Sequence, residues 1–384
     1  MEFKITLASF GLLLVSSFVL KYFKIVPPAS FRYKSVFAFR GFLAFIVFLY
    51  HSVIWYGYLK TGKWEWEDTS IYVARDCVIS FFLMITGFLF FSRLAEKKNK
   101  SMDWGAFYKS RIFRLGPVYF LAVTLMIIIV LASSDFRLYN KLGRNVEDIM
   151  KWYTFTLLGT PNFNKFKDTY LIIAGVQWIF IYEWIFYLFL PWAAFLFYRI
   201  HVPKALLFLC AALVVIFSIK NGPRIIFLMS FLSGLLASIL NHNMQFVKWA
   251  RHNLSSLAIL VCFAGIITLS QIFNLIPFIL ATIIFCLIAC GNSFFGILQT
   301  RIAGLLGQIS YNLFLLHGIV LYVTMNFIIG LEKSKSLSPT EYCLLVTSCI
   351  LPLLLISTIT YYWVEAKFIA KGHAIKNNTM ITVP

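Results

Sequence analysis

Arg40 and His51 stand eleven residues apart in one apolar run, between Phe39-Arg40-Gly41 and Tyr50-His51. On a helix, eleven residues at about 100° each return two side chains to within ~20° of one face, about 16 Å apart along the axis. Ala44 and Val47 fall on the same stripe, so a narrow face carries a polar group at each end. Glu183 lies in a second apolar run, Gln177-Trp178-Ile179-Phe180-Ile181-Tyr182-Glu183-Trp184. A Glu–His pair would offset the cost of placing either group away from water and would keep the imidazole basic and oriented, the requirement for proton-transfer chemistry. His317 sits in a third run, with Ser310 seven residues earlier on the same face. Arg111 and Arg114 are three apart and share a helix face; a paired guanidinium fork suits a phosphate.

Each residue also has a plainer reading. Arg40 fits a side chain snorkelling to phosphate headgroups, and His51 and His317 fit hydrogen-bonded packing residues. Glu183 fits a protonated carboxyl bonded to a backbone carbonyl, and Arg111 and Arg114 fit ordinary loop anchoring. The loop Trp64-Glu65-Trp66-Glu67-Asp68 has the composition of a sugar cradle, but it reads first as an interfacial aromatic belt. The shared face of Arg40 and His51 and the cost of ionisable groups inside apolar segments favour the functional readings.

The elements that hold these residues follow from composition. The chain is 60% hydrophobic, 18% aromatic and only 13% charged, against about 25% charged for a soluble globule. Its apolar runs are continuous and of helical length, unlike the alternating short strands of a barrel. The expected fold is therefore an all-α polytopic membrane protein, with about 10–11 transmembrane helices in one bundle. The spans read as 5–23, 37–58, 77–93, 115–133, 178–198, 205–219, 225–240, 255–272, 274–291, 304–328 and 341–363. Glu183 is the only carboxylate well within one of them. The first span lacks a clear cleavage site and reads as a retained anchor. The segment from 134 to 177 is too polar to span, and its apolar stretch Ile149 to Leu158 reads as an interfacial or re-entrant helix.

Orientation follows from basic residues. The loop from Arg93 to Arg114 holds seven of them against Glu96 and Asp103, which places it in the cytoplasm. The N-terminus is then outside and the C-terminus inside. The net charge of +19 is scattered over short loops, which points to lipid headgroups rather than nucleic acid and leaves open an anionic, nucleotide-bearing cytoplasmic ligand. None of the seven cysteines forms a CxxC pair; Cys286 and Cys290 share a face without a neighbouring His or acid, so packing roles are expected and no metal.

Several segments, taken in order, resemble the acyltransferase family 3 membrane proteins. They are Arg40 with His51 (Arg-x10-His), Ser80 through Thr86-Gly87-Phe88, Arg111-Ile112-Phe113-Arg114 ahead of Pro117 and Tyr119, Trp178 with Glu183, Phe186 and Tyr187, and Ser310-Tyr311 with Leu313 and His317. The resemblance runs from about 37 to 365. The chain departs from the pattern in having a span before the Arg-x10-His helix, Thr86 where Ser is usual, Trp184 after Glu183, and Glu365-Ala366-Lys367 where the family has Glu-x-Pro.

The resemblance implies a membrane acyltransferase domain at 37–365, preceded by an extra helix and linker at 1–36 and followed by a cytoplasmic tail at 366–384. It implies transfer of an acyl group, usually acetyl, from cytoplasmic acyl-CoA to a hydroxyl of an extracytoplasmic glycan or lipid-linked sugar, in the cytoplasmic (inner) membrane. In that scheme Arg111 and Arg114 hold donor phosphates. Arg40 holds the pantetheine arm or polarises the thioester carbonyl. His51 acts as base or carries the acyl group, Glu183 orients and charge-balances it, and His317 is a secondary candidate. The rival class is a transporter or flippase of a glycan or lipid-linked intermediate, in which the same residues line a path; the sequence holds no internal repeat to favour it. A scaffolding protein would have no use for a buried Glu.

Overall fold

The computed structural model describes residues 32–68, 70–97, 102–221, 224–269 and 275–372. The expected span at 5–23 lies outside these residues. Among them there are helices and no strands. The elements are α1 (Lys34–Thr61), α2 (Ser70–Glu96), α3 (Trp104–Ser133), α4 (Leu142–Tyr153), α5 (Ile179–Tyr198), α6 (Lys204–Asn221), α7 (Ile225–Leu240), α8 (Met244–Ala250), α9 (Asn253–Leu269), α10 (Leu275–Ala289), α11 (Arg301–Val323), α12 (Leu331–Ser336), α13 (Pro339–Ser348) and α14 (Ile350–Thr360). Among the described residues, six helices are long and apolar enough to cross a membrane, or seven if the bent pair α7–α8 is one span; α6, α9 and α10 are shorter apolar helices. Each expected span within the described residues falls on a helix. The protein is an all-α polytopic membrane protein.

The chain divides into two compact units that are interleaved in sequence. The first unit takes the described residues between 102 and 187 and between 311 and 372, and the second takes those between 32 and 97 and between 188 and 310.

The second unit is built on close helix approach. A Cβ on Gly87 would lie 2.6 Å from the Phe231 carbonyl oxygen, and one on Gly234 would lie 2.5 Å from the Met84 carbonyl oxygen. α2 and α7 therefore cross backbone against backbone, the contact that small residues permit where lipid removes any hydrophobic drive between helices. Ser92 donates to Ser238 at 2.9 Å across the same crossing. This accounts for the glycine that ends the Phe-rich segment at Gly87.

The first unit is pinned by aromatic hydroxyls and amides. Tyr119 of α3 donates to the Trp152 carbonyl at 2.7 Å, and the Trp152 indole N–H donates to the Pro161 carbonyl at 3.0 Å. α4 begins seven residues before the expected apolar stretch. Its polar first half folds because Asn145 and Asp148 are buried, the latter against Arg144 at 3.3 Å. Leu142, Val146 and Met150 stay exposed on one stripe, as an interfacial helix requires. All seven cysteines are buried and none is in a disulfide.

Candidate functional site

In the second unit, Arg40 is committed to α11 rather than left to snorkel. Its Nε–H donates to Ser310 Oγ at 2.8 Å and its Nη2 donates to the Gly307 carbonyl at 3.1 Å. The Ser310 hydroxyl donates its own proton to the same carbonyl at 2.9 Å. The neighbouring residue makes this possible. A Cβ on Gly41 would stand 2.3 Å from the Gly307 nitrogen, and one on Gly307 would stand 2.4 Å from the Phe37 carbonyl oxygen. α1 and the 301–310 part of α11 thus touch glycine to glycine, and Arg40 lies along the contact.

His51 lies farther along α1 and is half-buried. Its Nδ1 meets the Val47 carbonyl oxygen at 3.0 Å. A carbonyl can only accept, so Nδ1 carries the proton and the basic nitrogen of the neutral ring is Nε2. The Trp64 ring lies nearly parallel to the imidazole, 21° apart in plane and 6.4 Å between centroids. The loop that brings it there is set by two glycines. Gly62 ends α1 in the left-handed region at φ 73°, and its N–H returns to the Tyr58 carbonyl at 2.8 Å. Gly57 lets the Glu65 carbonyl settle where a Cβ would come within 2.6 Å. The Trp66 N–H then bonds Tyr72 Oη at 2.8 Å, and Trp55 and Tyr58 meet Trp64 edge-on. Of the two readings of this loop, a belt and a cradle, the geometry adds that Trp64 stands against His51.

In the first unit, charged groups cluster where α3, α5, α11 and the last helix meet. Arg114, 29% exposed at its side chain, has its Nη2 3.4 Å from Oε1 of Glu365, whose side chain is fully buried. Asn312 donates its amide to the other carboxylate oxygen of Glu365. The Tyr311 hydroxyl donates to the Leu115 carbonyl at 2.6 Å, one residue beyond Arg114. Glu183 accepts from the Tyr187 hydroxyl at 3.1 Å, one turn along α5. The Tyr108 hydroxyl donates to the Tyr187 carbonyl at 3.1 Å, tying α3 to α5. Arg111 itself lies over the Phe107 ring at 6.0 Å. His317 is fully buried, its Nδ1–H donating to the Leu313 carbonyl at 3.1 Å. The next residue is Gly318, where a Cβ would meet the Ile173 carbonyl carbon at 2.4 Å.

A further carboxylate, the buried Glu365, stands just past the expected end of the last span. The last apolar helical stretch runs from Pro339 to Gly372, two turns past the expected end at 363, and encloses Glu365. Glu365, Asn312 and Trp64 were absent from the expected site. The only sequence signal for Glu365 was its place in a shortened family motif.

A family model described as an acyltransferase domain matches residues 33–363. The chain belongs to that family. The protein is therefore a membrane acyltransferase, and the match spans both units. No curated protein and no solved structure matches the chain. Among the described residues of this acyltransferase, no three His, Cys, Asp or Glu side chains cluster as metal ligands.

Proposed function

We propose that this acyltransferase takes its acyl group from a cytoplasmic acyl-CoA, acetyl-CoA by preference, and delivers it to a hydroxyl of an extracytoplasmic glycan or lipid-linked sugar. The observation that carries the reading is His51, held as one tautomer by the Val47 carbonyl, with Trp64 stacked beside it. An imidazole with a fixed basic nitrogen next to an aromatic face is what a sugar hydroxyl needs. The ring CH groups of a pyranose lie on the indole, and the hydroxyl proton goes to Nε2.

In the proposed step the acceptor oxygen attacks the thioester carbonyl as its proton moves to His51. The C–S bond breaks, the thiolate of CoA leaves, and the imidazolium proton returns to it. Direct attack and transient acylation of Nε2 both keep the Val47 hydrogen bond intact. Arg40, held in place by Ser310 and Gly307, stabilises the developing oxyanion or holds the pantetheine arm. Arg111 and Arg114 take the donor phosphates, with the 93–114 segment at the cytoplasmic face and the protein in the inner membrane as further parts of the proposal. His317, buried and hydrogen-bonded, keeps a secondary place.

The test is acyl transfer by purified protein in nanodiscs with radiolabelled acetyl-CoA, His51→Ala beside wild type. Label transferred to a glycan acceptor by wild type, with a loss of about 10²–10⁴ in the variant, supports the scheme. Equal rates remove His51 from it. A protein that only moves a glycan would leave the thioester unconsumed.

A further inference from the structure

A carboxylate enclosed in a membrane-spanning helix and tied to an arginine at a substrate mouth requires a reason. Glu365 is fully buried, and both of its oxygens are engaged by fixed partners, Arg114 through one and Asn312 through the other. Asn312 is itself fully buried on α11. The adjacent Tyr311 clamps α11 to the Leu115 carbonyl of α3, beside Arg114. Glu365, Asn312 and Arg114 thus come from three helices of one unit and meet within a turn of the Tyr311–Leu115 clamp. In this cluster the arginine alone reaches outward, with 29% of its side chain exposed.

We propose that Glu365 is a positioning residue for donor recognition: with Asn312 it holds Arg114 so that the guanidinium presents its remaining N–H groups to a phosphate of the acyl donor. The inference rests on the reading of Arg111 and Arg114 as the donor-phosphate pair. The opposite sign is physically available, since a carboxylate on an arginine also competes with an incoming anion. Burial decides between them. Separating the pair would leave Glu365 an uncompensated buried charge, which costs far more than one surface ion pair returns. The carboxylate therefore stays with Arg114 when the donor binds, and the phosphate uses the donors that Glu365 leaves. A guanidinium has five N–H groups in a rigid fork, enough for both.

The experiment compares Glu365→Gln, Asn312→Ala and Arg114→Ala with wild type in nanodiscs, each checked for folding by thermal denaturation. Transfer kinetics are measured with two donors, acetyl-CoA and a phosphate-free thioester, S-acetylpantetheine. The expected result is a rise of about tenfold in KM for acetyl-CoA in Glu365→Gln, the worth of one charge-assisted bond. Acceptor KM stays unchanged, and the phosphate-free donor does not distinguish variant from wild type. Asn312→Ala moves acetyl-CoA in the same direction by a smaller factor, and it decides the matter if Glu365→Gln does not fold. Tighter acetyl-CoA binding in Glu365→Gln, equal losses on both donors, or no change in either variant overturns the proposal while Arg114→Ala still weakens acetyl-CoA. Arg114→Ala with wild-type KM for acetyl-CoA overturns the donor-phosphate reading and this inference with it.

Discussion

Gly41→Ala is the substitution whose cost can be worked most directly. The new Cβ would stand 2.3 Å from both the Gly307 nitrogen and the Leu306 carbonyl carbon, about 1.1 Å short of the 3.4 Å at which ordinary contact begins. Both are backbone atoms and cannot turn aside, so α1 and the 301–310 part of α11 must part by about that amount. Arg40 is the next residue. Its bonds to Ser310 and Gly307, at 2.8 and 3.1 Å, would stretch to roughly 3.9 and 4.2 Å, beyond hydrogen-bond range. Overpacking alone costs about 1–3 kcal/mol, and each bond from a charged donor is worth about 1.5–3 kcal/mol in a part-buried site. Partial relaxation leaves an expected loss on the order of 3–5 kcal/mol, with Arg40 displaced. The assay is thermal denaturation by fluorescence-detected size exclusion, alongside acyl transfer. Gly41→Ala should melt well below wild type and lose activity. Arg40→Ala added to it should cost little more, because the bonds are already gone. Gly62→Ala is the control: no atom lies within 4 Å of its Cβ, and only the strain of φ 73° remains, about 1–2 kcal/mol. A Gly41→Ala protein with wild-type melting and activity, or strict additivity with Arg40→Ala, would refute the reasoning.

Ser310→Ala removes the acceptor for Arg40 Nε and should lower stability by about 1–3 kcal/mol while reducing turnover, measured by the same two assays. Trp64→Ala should raise acceptor KM and leave donor KM unchanged in two-substrate kinetics; a change in donor KM alone would remove Trp64 from the acceptor side. Gly318→Ala should destabilise by about 1–3 kcal/mol, since its Cβ meets backbone at 2.4 Å beside His317. Gly143→Ala, in α4 with no atom near its Cβ, should raise the melting temperature slightly, by the roughly 0.5–1 kcal/mol that separates alanine from glycine in a helix.

The helices were legible because apolar runs of helical length have no other stable form in lipid. Arg40 and His51 were legible as a pair for the same reason: one helix carries both, and their register is a matter of residues per turn. Arg40's actual partner was not, since Ser310 is 270 residues away. Glu365 is hard to see in the sequence because hydropathy ends the last span at 363, although the helical stretch continues to Gly372. Trp64 was in view as composition only. Its approach to His51 depends on Gly57 and Gly62, which redirect the chain without leaving a periodic trace. The polar start of α4 escaped because Asn145 and Asp148 point inward, against the usual sense of an amphipathic face.

The enclosure of all seven cysteines has a practical consequence. Thiol labelling needs both access and a thiolate, and no native side chain offers the first. A single cysteine introduced at an exposed position such as Glu67 or Lys109 would then be the sole target of a membrane-impermeant maleimide, with no cysteine-free background to build. In sealed vesicles of known sidedness, which of those two sites takes the label reports directly which face of the bilayer the Trp64 loop occupies.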